Sequence, residues 1–115
     1  MDATPKPEIS ASEFFAVDMR VGRVLAVDPF PEARKPAWKV QADFGDMGTL
    51  QTSAQVTNYR PDDLVGQLIV GAVNLGAKRV AGFRSEFLLL GAVGEWDVVR
   101  LLHPDEGALP GDPVA

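Results

Sequence analysis

Asp43-Phe44-Gly45-Asp46-Met47-Gly48-Thr49-Leu50-Gln51-Thr52-Ser53-Ala54-Gln55 reads as a strand end, a glycine-punctuated hairpin, a second strand and a small polar cluster. Upstream of it, residues 37–44 place Trp38, Val40, Ala42 and Phe44 on one face and Lys39, Gln41 and Asp43 on the other, a period of two. Gly45 and Gly48 bracket Asp46-Met47, which fits a tight β-turn in which glycines take positive φ. Thr52, Ser53 and Gln55 can present hydroxyl and amide groups to a partner, or satisfy a strand end internally. The residues alone favour the second use.

The flanks extend this pattern. Residues 19–27 form a strand carrying Val21, Val24, Leu25 and Val27, with a bulge or sharp bend expected at Gly22. Pro29 and Pro31 end it, and residues 29–36 make a stiff loop bearing Arg34 and Lys35. Ser10 with Glu13 three positions later predicts a short capped helix over residues 11–17, with Phe14 or Phe15 closing an open end of the core. Pro61 starts a short helical turn ending near Gly66. Further strands are expected over residues 67–73, 80–83, 86–93 and 98–102. Gly82 interrupts the second of these, and Phe87-Leu88-Leu89-Leu90 reads as a buried run in the third. Residues 74–79 form a loop opening on Asn74, whose side chain can bind nearby backbone. A proline-bounded tail offers Leu109 and Val114 for docking on the body or on a second subunit.

Short strands, frequent glycine bends and no long helix predict an all-β fold. The natural candidate is a five-stranded OB-fold barrel with a short N-terminal helix, a short helical turn and a C-terminal extension; an SH3-like barrel or a small sandwich are the alternatives. Residues 1–9, with Pro5 and Pro7, read as a flexible N-terminal arm, and residues 10–115 as a single domain.

Composition narrows the function. The chain has 115 residues, no cysteine and one histidine, so a thiolate nucleophile and a multi-histidine metal site are both excluded. No apolar run approaches the ~20 residues needed to span a bilayer, and residues 1–9 carry no signal pattern, so a cytoplasmic protein without membrane insertion is expected. The formal charge of −5 argues against nucleic acid, although the acidic residues concentrate at the two ends and the interior is mildly basic. No nucleophile–base pair, metal cluster or phosphate loop can be named, so no enzymatic activity, cofactor or metal is expected and binding is the default function. Lys39, Lys78, Arg79, Arg84, Arg34 and Lys35 could surround Ser53 and Gln55, offering cations for phosphate or carboxylate beside directional hydrogen bonds. Tyr59, Trp96 and Phe83 are candidates for base stacking, each read first as core or barrel-end packing.

The chain also resembles a known family. Asp18-Met19-Arg20-Val21-Gly22-Arg23-Val24, Pro29-Phe30-Pro31-Glu32-Ala33-Arg34-Lys35-Pro36-Ala37-Trp38-Lys39, Thr52-Ser53-Ala54-Gln55-Val56-Thr57, Lys78-Arg79-Val80-Ala81-Gly82-Phe83 and Ser85-Glu86-Phe87-Leu88-Leu89-Leu90-Gly91 follow in the order and spacing of the CsaA family. That resemblance implies an export-related chaperone built as a tRNA-binding domain of the OB fold. It implies a homodimer that binds unfolded or precursor polypeptides and serves the protein-export machinery, with tRNA as the alternative ligand. It marks Lys39, Ser53, Gln55, Asn74, Lys78, Arg84 and Ser85 as binding candidates, and Trp38 and Phe83 as neighbours of an apolar peptide pocket. Two departures stand out. Thr52 replaces the first of two serines, preserving a hydroxyl, and Leu75-Gly76-Ala77 replaces a loop that often carries phenylalanine and prolines.

Overall fold

The computed structural model describes residues 3–115. In chain order its elements are α1 (Ala11–Phe15), β1 (Met19–Pro29), β2 (Trp38–Asp43), β3 (Thr49–Ala54), α2 (Pro61–Leu64), β4 (Leu68–Ala72), β5 (Lys78–Val80), β6 (Phe83–Ser85), β7 (Leu88–Leu89), β8 (Gly91–Val93) and β9 (Val99–Leu101). The main sheet has five strands in the order β3-β2-β1-β4-β7 and curls into a nearly closed, OB-like barrel.

β1 is long enough to serve two neighbours. Its first half pairs with β4 and its second half with β2. The register slips between Val24 and Ala26, leaving Leu25 as a bulge that turns outward. The bend therefore falls at Leu25 and not at Gly22. Gly22 answers a different need. A Cβ there would lie 2.9 Å from Cε1 of Phe44. At Gly71 on β4 a Cβ would lie 2.9 Å from both Phe44 Cζ and Phe87 Cδ2. Both glycines make room for Phe44, which is fully buried and meets Phe87 edge-on at 4.9 Å. Val24, Val40, Ala42, Leu64 and Ile69 complete the centre of the core.

The β2–β3 hairpin closes through a single 3₁₀ turn, Gly45–Met47, with positive φ at Gly45 and Gly48 as the sequence requires. Pro61 opens α2, whose Leu64 reaches the core. The C-terminal tail docks on the body along β1: Gly111 N–H donates to Val21 O, Val21 N–H to Asp112 O, and Val114 N–H to Met19 O.

Three further expectations fail. Ser10 and Glu13 do form the reciprocal cap, and the Ser10 amide and hydroxyl hold the Glu13 carboxyl below its usual range. Yet α1 buries no residue, and Phe14 and Phe15 stay exposed, touching each other edge-on at 5.1 Å. Asn74 sets this position: its Nδ2 donates to Ala16 O and its Oδ1 accepts from Asp18 N. Lys78-Arg79 lies in a strand, because Ala81-Gly82 is the turn of a two-residue hairpin with φ of 46° and 81°. The run from Phe87 to Leu90 is not one buried strand. It sits at a sheet edge where side chains alternate, so Phe87 is buried and Leu88 is exposed.

Gly71→Ala should destabilise the fold by about 1–3 kcal/mol through overpacking against two rings. Urea unfolding measures this, and Phe44→Leu in the same chain should recover part of the loss.

Candidate nucleic-acid or polypeptide interface

Every neighbouring pair in the main sheet is antiparallel, so with five strands the two edges, β3 and β7, run in the same direction. The barrel closes where they meet, and mostly through side chains. One main-chain bond crosses this seam, from Glu86 N–H to Gln51 O at 2.8 Å, and the Glu86 carboxylate accepts from Gln51 N–H at 3.1 Å. Beside it runs a hydroxyl relay. Ser53 N–H donates to Ser85 Oγ, Ser85 Oγ lies 2.7 Å from Thr52 Oγ1, and Thr52 donates to Phe87 O at 2.6 Å. Since a carbonyl only accepts, the Thr52 hydroxyl donates to Phe87 and must accept from Ser85. Thr52 is the buried polar residue of the core.

Beyond Ser53 the two edges separate and leave a cleft of about 970 Å³. Residues 52–56 form one wall, and Phe87, Leu88, Leu89, Val93 and Val99 form the other. The β5–β6 hairpin and the loop before β2 complete the rim, bringing Lys78, Arg34 and Lys35. The walls are mainly apolar, no carboxylate lines them, and among the described residues none of these three cations has an ion-pair partner. The groups with clearly displaced pKa values, Glu13, Arg20 and Asp63, all lie elsewhere. Among the described residues no cluster of His, Asp and Glu could hold a metal ion.

Of the residues expected from the sequence, Arg34, Lys35, Ser53, Gln55, Lys78 and Ser85 share this cleft. Lys39 pairs in register with Ser53 but lies outside the lining, its Nζ 4.9 Å from the Phe30 ring centroid and 5.2 Å from that of Phe83. Phe83 packs on Phe30 and Trp38 donates its indole N–H to Tyr59 O, so neither aromatic is a wall of the cleft. Arg79 donates to Gly82 O within its own hairpin, and Arg84 pairs with Glu86 at 3.6 Å. Asn74 fastens α1. Tyr59 belongs to the fold, its hydroxyl accepting from Leu101 N–H, whereas Trp96 is 93% exposed at a turn and packs no barrel end. The apolar wall itself was missed. Its signal was the run Phe87-Leu88-Leu89-Leu90, too apolar for an edge strand with nothing against it.

The family model described as "Putative tRNA binding domain" matches residues 19–113. The crystal structure of the CsaA chaperone protein from Picrophilus torridus is 44% identical with a TM-score of 0.89, covering 94% of this chain and 100% of that one. That of chaperone CsaA from Bacillus anthracis is 44% identical with a TM-score of 0.90, covering 95% and 100%. Methionine–tRNA ligase 1 of Sorangium cellulosum is 36% identical over 106 residues, which span 91% of this chain and 15% of the ligase.

Thr52→Val should cost about 1–3 kcal/mol, because the Phe87 carbonyl and the Ser85 hydroxyl lose a buried partner. Thr52→Ser should retain most of the stability, and urea unfolding of the two variants separates the hydroxyl from the methyl.

Proposed function

As a member of the CsaA family within the tRNA-binding domains, the chain is, we propose, a dimeric molecular chaperone that holds unfolded or export-bound polypeptides in the cleft between β3 and β7. The observation that carries this reading is the cleft itself: apolar walls, a few directional polar groups at Ser53 and Gln55, and a cationic rim without acids. An unfolded chain exposes apolar side chains, and covering them yields roughly 25 cal/mol per Å². The rim adds attraction for acidic flanks without demanding a fixed partner. Catalysis has no part in this reading. The work belongs in the cytoplasm, ahead of the protein-export machinery, in keeping with the family, and residues 10–115 act as one unit; of the arm expected over residues 1–9, residues 1–2 lie outside the described residues.

The dimer is supported by the exposed apolar residues around α1: Ile9, Phe14 and Phe15. A second copy seated there would bury them. Sedimentation should show a dimer, and Phe14→Ser with Phe15→Ser should shift it to monomer. A monomeric wild-type protein would refute the pairing.

A second reading has its own support. Among the described residues Arg34, Lys35 and Lys78 have no ion-pair partner, and a methionine–tRNA ligase shares the domain, so structured RNA is the competing ligand. Titration of a reduced, carboxymethylated protein and of bulk tRNA distinguishes the two. Val93→Asp, an exposed cleft position, should weaken polypeptide binding about tenfold. If instead tRNA binds tightly with steep salt dependence, and Arg34→Glu with Lys78→Glu abolishes it, the RNA reading replaces the first.

A further inference from the structure

The cleft has unpaired main chain on both sides. On β3, Gln51 and Ser53 turn their main-chain groups toward the seam, as their bonds to Glu86 and Ser85 show. Alternation gives Gln55 the same orientation, and among the described residues its N–H and C=O have no partner. On the opposite side Leu90 N–H donates to Val70 O, so Leu88 and Leu90 address β4 while Phe87 and Leu89 address the seam. Phe87 O is taken by Thr52, and the main chain of Leu89 faces the cleft without a partner among the described residues.

These two edges run in the same direction. An odd number of strands forces that mismatch, and it disappears if one more strand enters running opposite to both. We infer that the ligand completes the barrel as this strand: an extended polypeptide segment inserts between Gln55 and Leu89, antiparallel to β3 and to β7. The proposal rests on the reading of polypeptide as the ligand and adds how it is held. Main-chain bonds fix the segment irrespective of sequence. Its alternate side chains face the apolar floor at Val56 and Phe87, both buried. An acidic side chain at its edge meets Lys78 or Arg34, which have no ion-pair partner among the described residues. RNA has no such ladder to offer, and the apolar floor gives its backbone nothing.

The test uses the full chain and a short fluorescein-labelled peptide alternating leucine with serine and glutamate. Single backbone N-methyl groups are placed at each peptide position in turn, and affinity is read by anisotropy. Because a strand seated between two others turns successive amides to opposite sides, strand addition predicts losses of about tenfold at each consecutive position of the inserted stretch and little change toward the peptide ends. It also predicts slowed hydrogen exchange at the Gln55 and Leu89 amides. If the peptide binds, is weakened by Val93→Asp, yet shows a flat methylation profile and unprotected amides, strand addition is overturned and polypeptide binding stands. If no peptide binds, or tRNA alone does, the polypeptide reading falls and the inference with it.

Discussion

The odd strand count governs this molecule. Five antiparallel strands cannot close on themselves without one pair running parallel, and here that pair is β3 and β7. A regular ladder does not form between them. Thr52, Ser85 and Glu86 bridge the join with side chains, and the bridging stops after Ser53. The candidate site follows from that stop: main chain at Gln55 and Leu89 unpaired among the described residues, an apolar floor that would otherwise be core, and a rim built from the nearby loops. The Ala81-Gly82 turn sets Lys78 on that rim, and the proline-bounded loop after β1 sets Arg34 and Lys35 there.

The balance of charge fits this arrangement. The chain as a whole is acidic, at −5, yet among the described residues no carboxylate lines the cleft. Cations concentrated at an apolar opening attract acidic segments locally, while the net charge keeps the surface from gathering polyanions at large. Lys39 illustrates the restraint on cations elsewhere. Held over the Phe30 and Phe83 rings, its ammonium stands apart from the cleft lining.

Much of the fold was legible because its causes are local. The alternation of residues 37–44, the Ser10–Glu13 cap, the glycines of the β2–β3 turn and the proline opening α2 all act within a few residues of themselves. What escaped depends on distant partners. Gly22 looked like a bend, and only the ring of Phe44 across the barrel explains it. Phe14 and Phe15 looked like lids, and Asn74, far along the chain, holds them outside. The site divides in the same way. Ser53, Gln55, Lys78 and Ser85 were readable as a polar and basic set, whereas the wall from Phe87 to Val99 was not, since its exposure depends on where the seam opens.

Backbone amide shifts recorded while an unfolded polypeptide is titrated into isotope-labelled protein test the account most directly. If the open seam is the binding site, the perturbed resonances should cluster on residues 53–56 and 87–93, on both sides of the cleft at once. Perturbations confined to α1 and Asn74, or to the Lys39–Phe83 face, would place the ligand elsewhere and contradict the account.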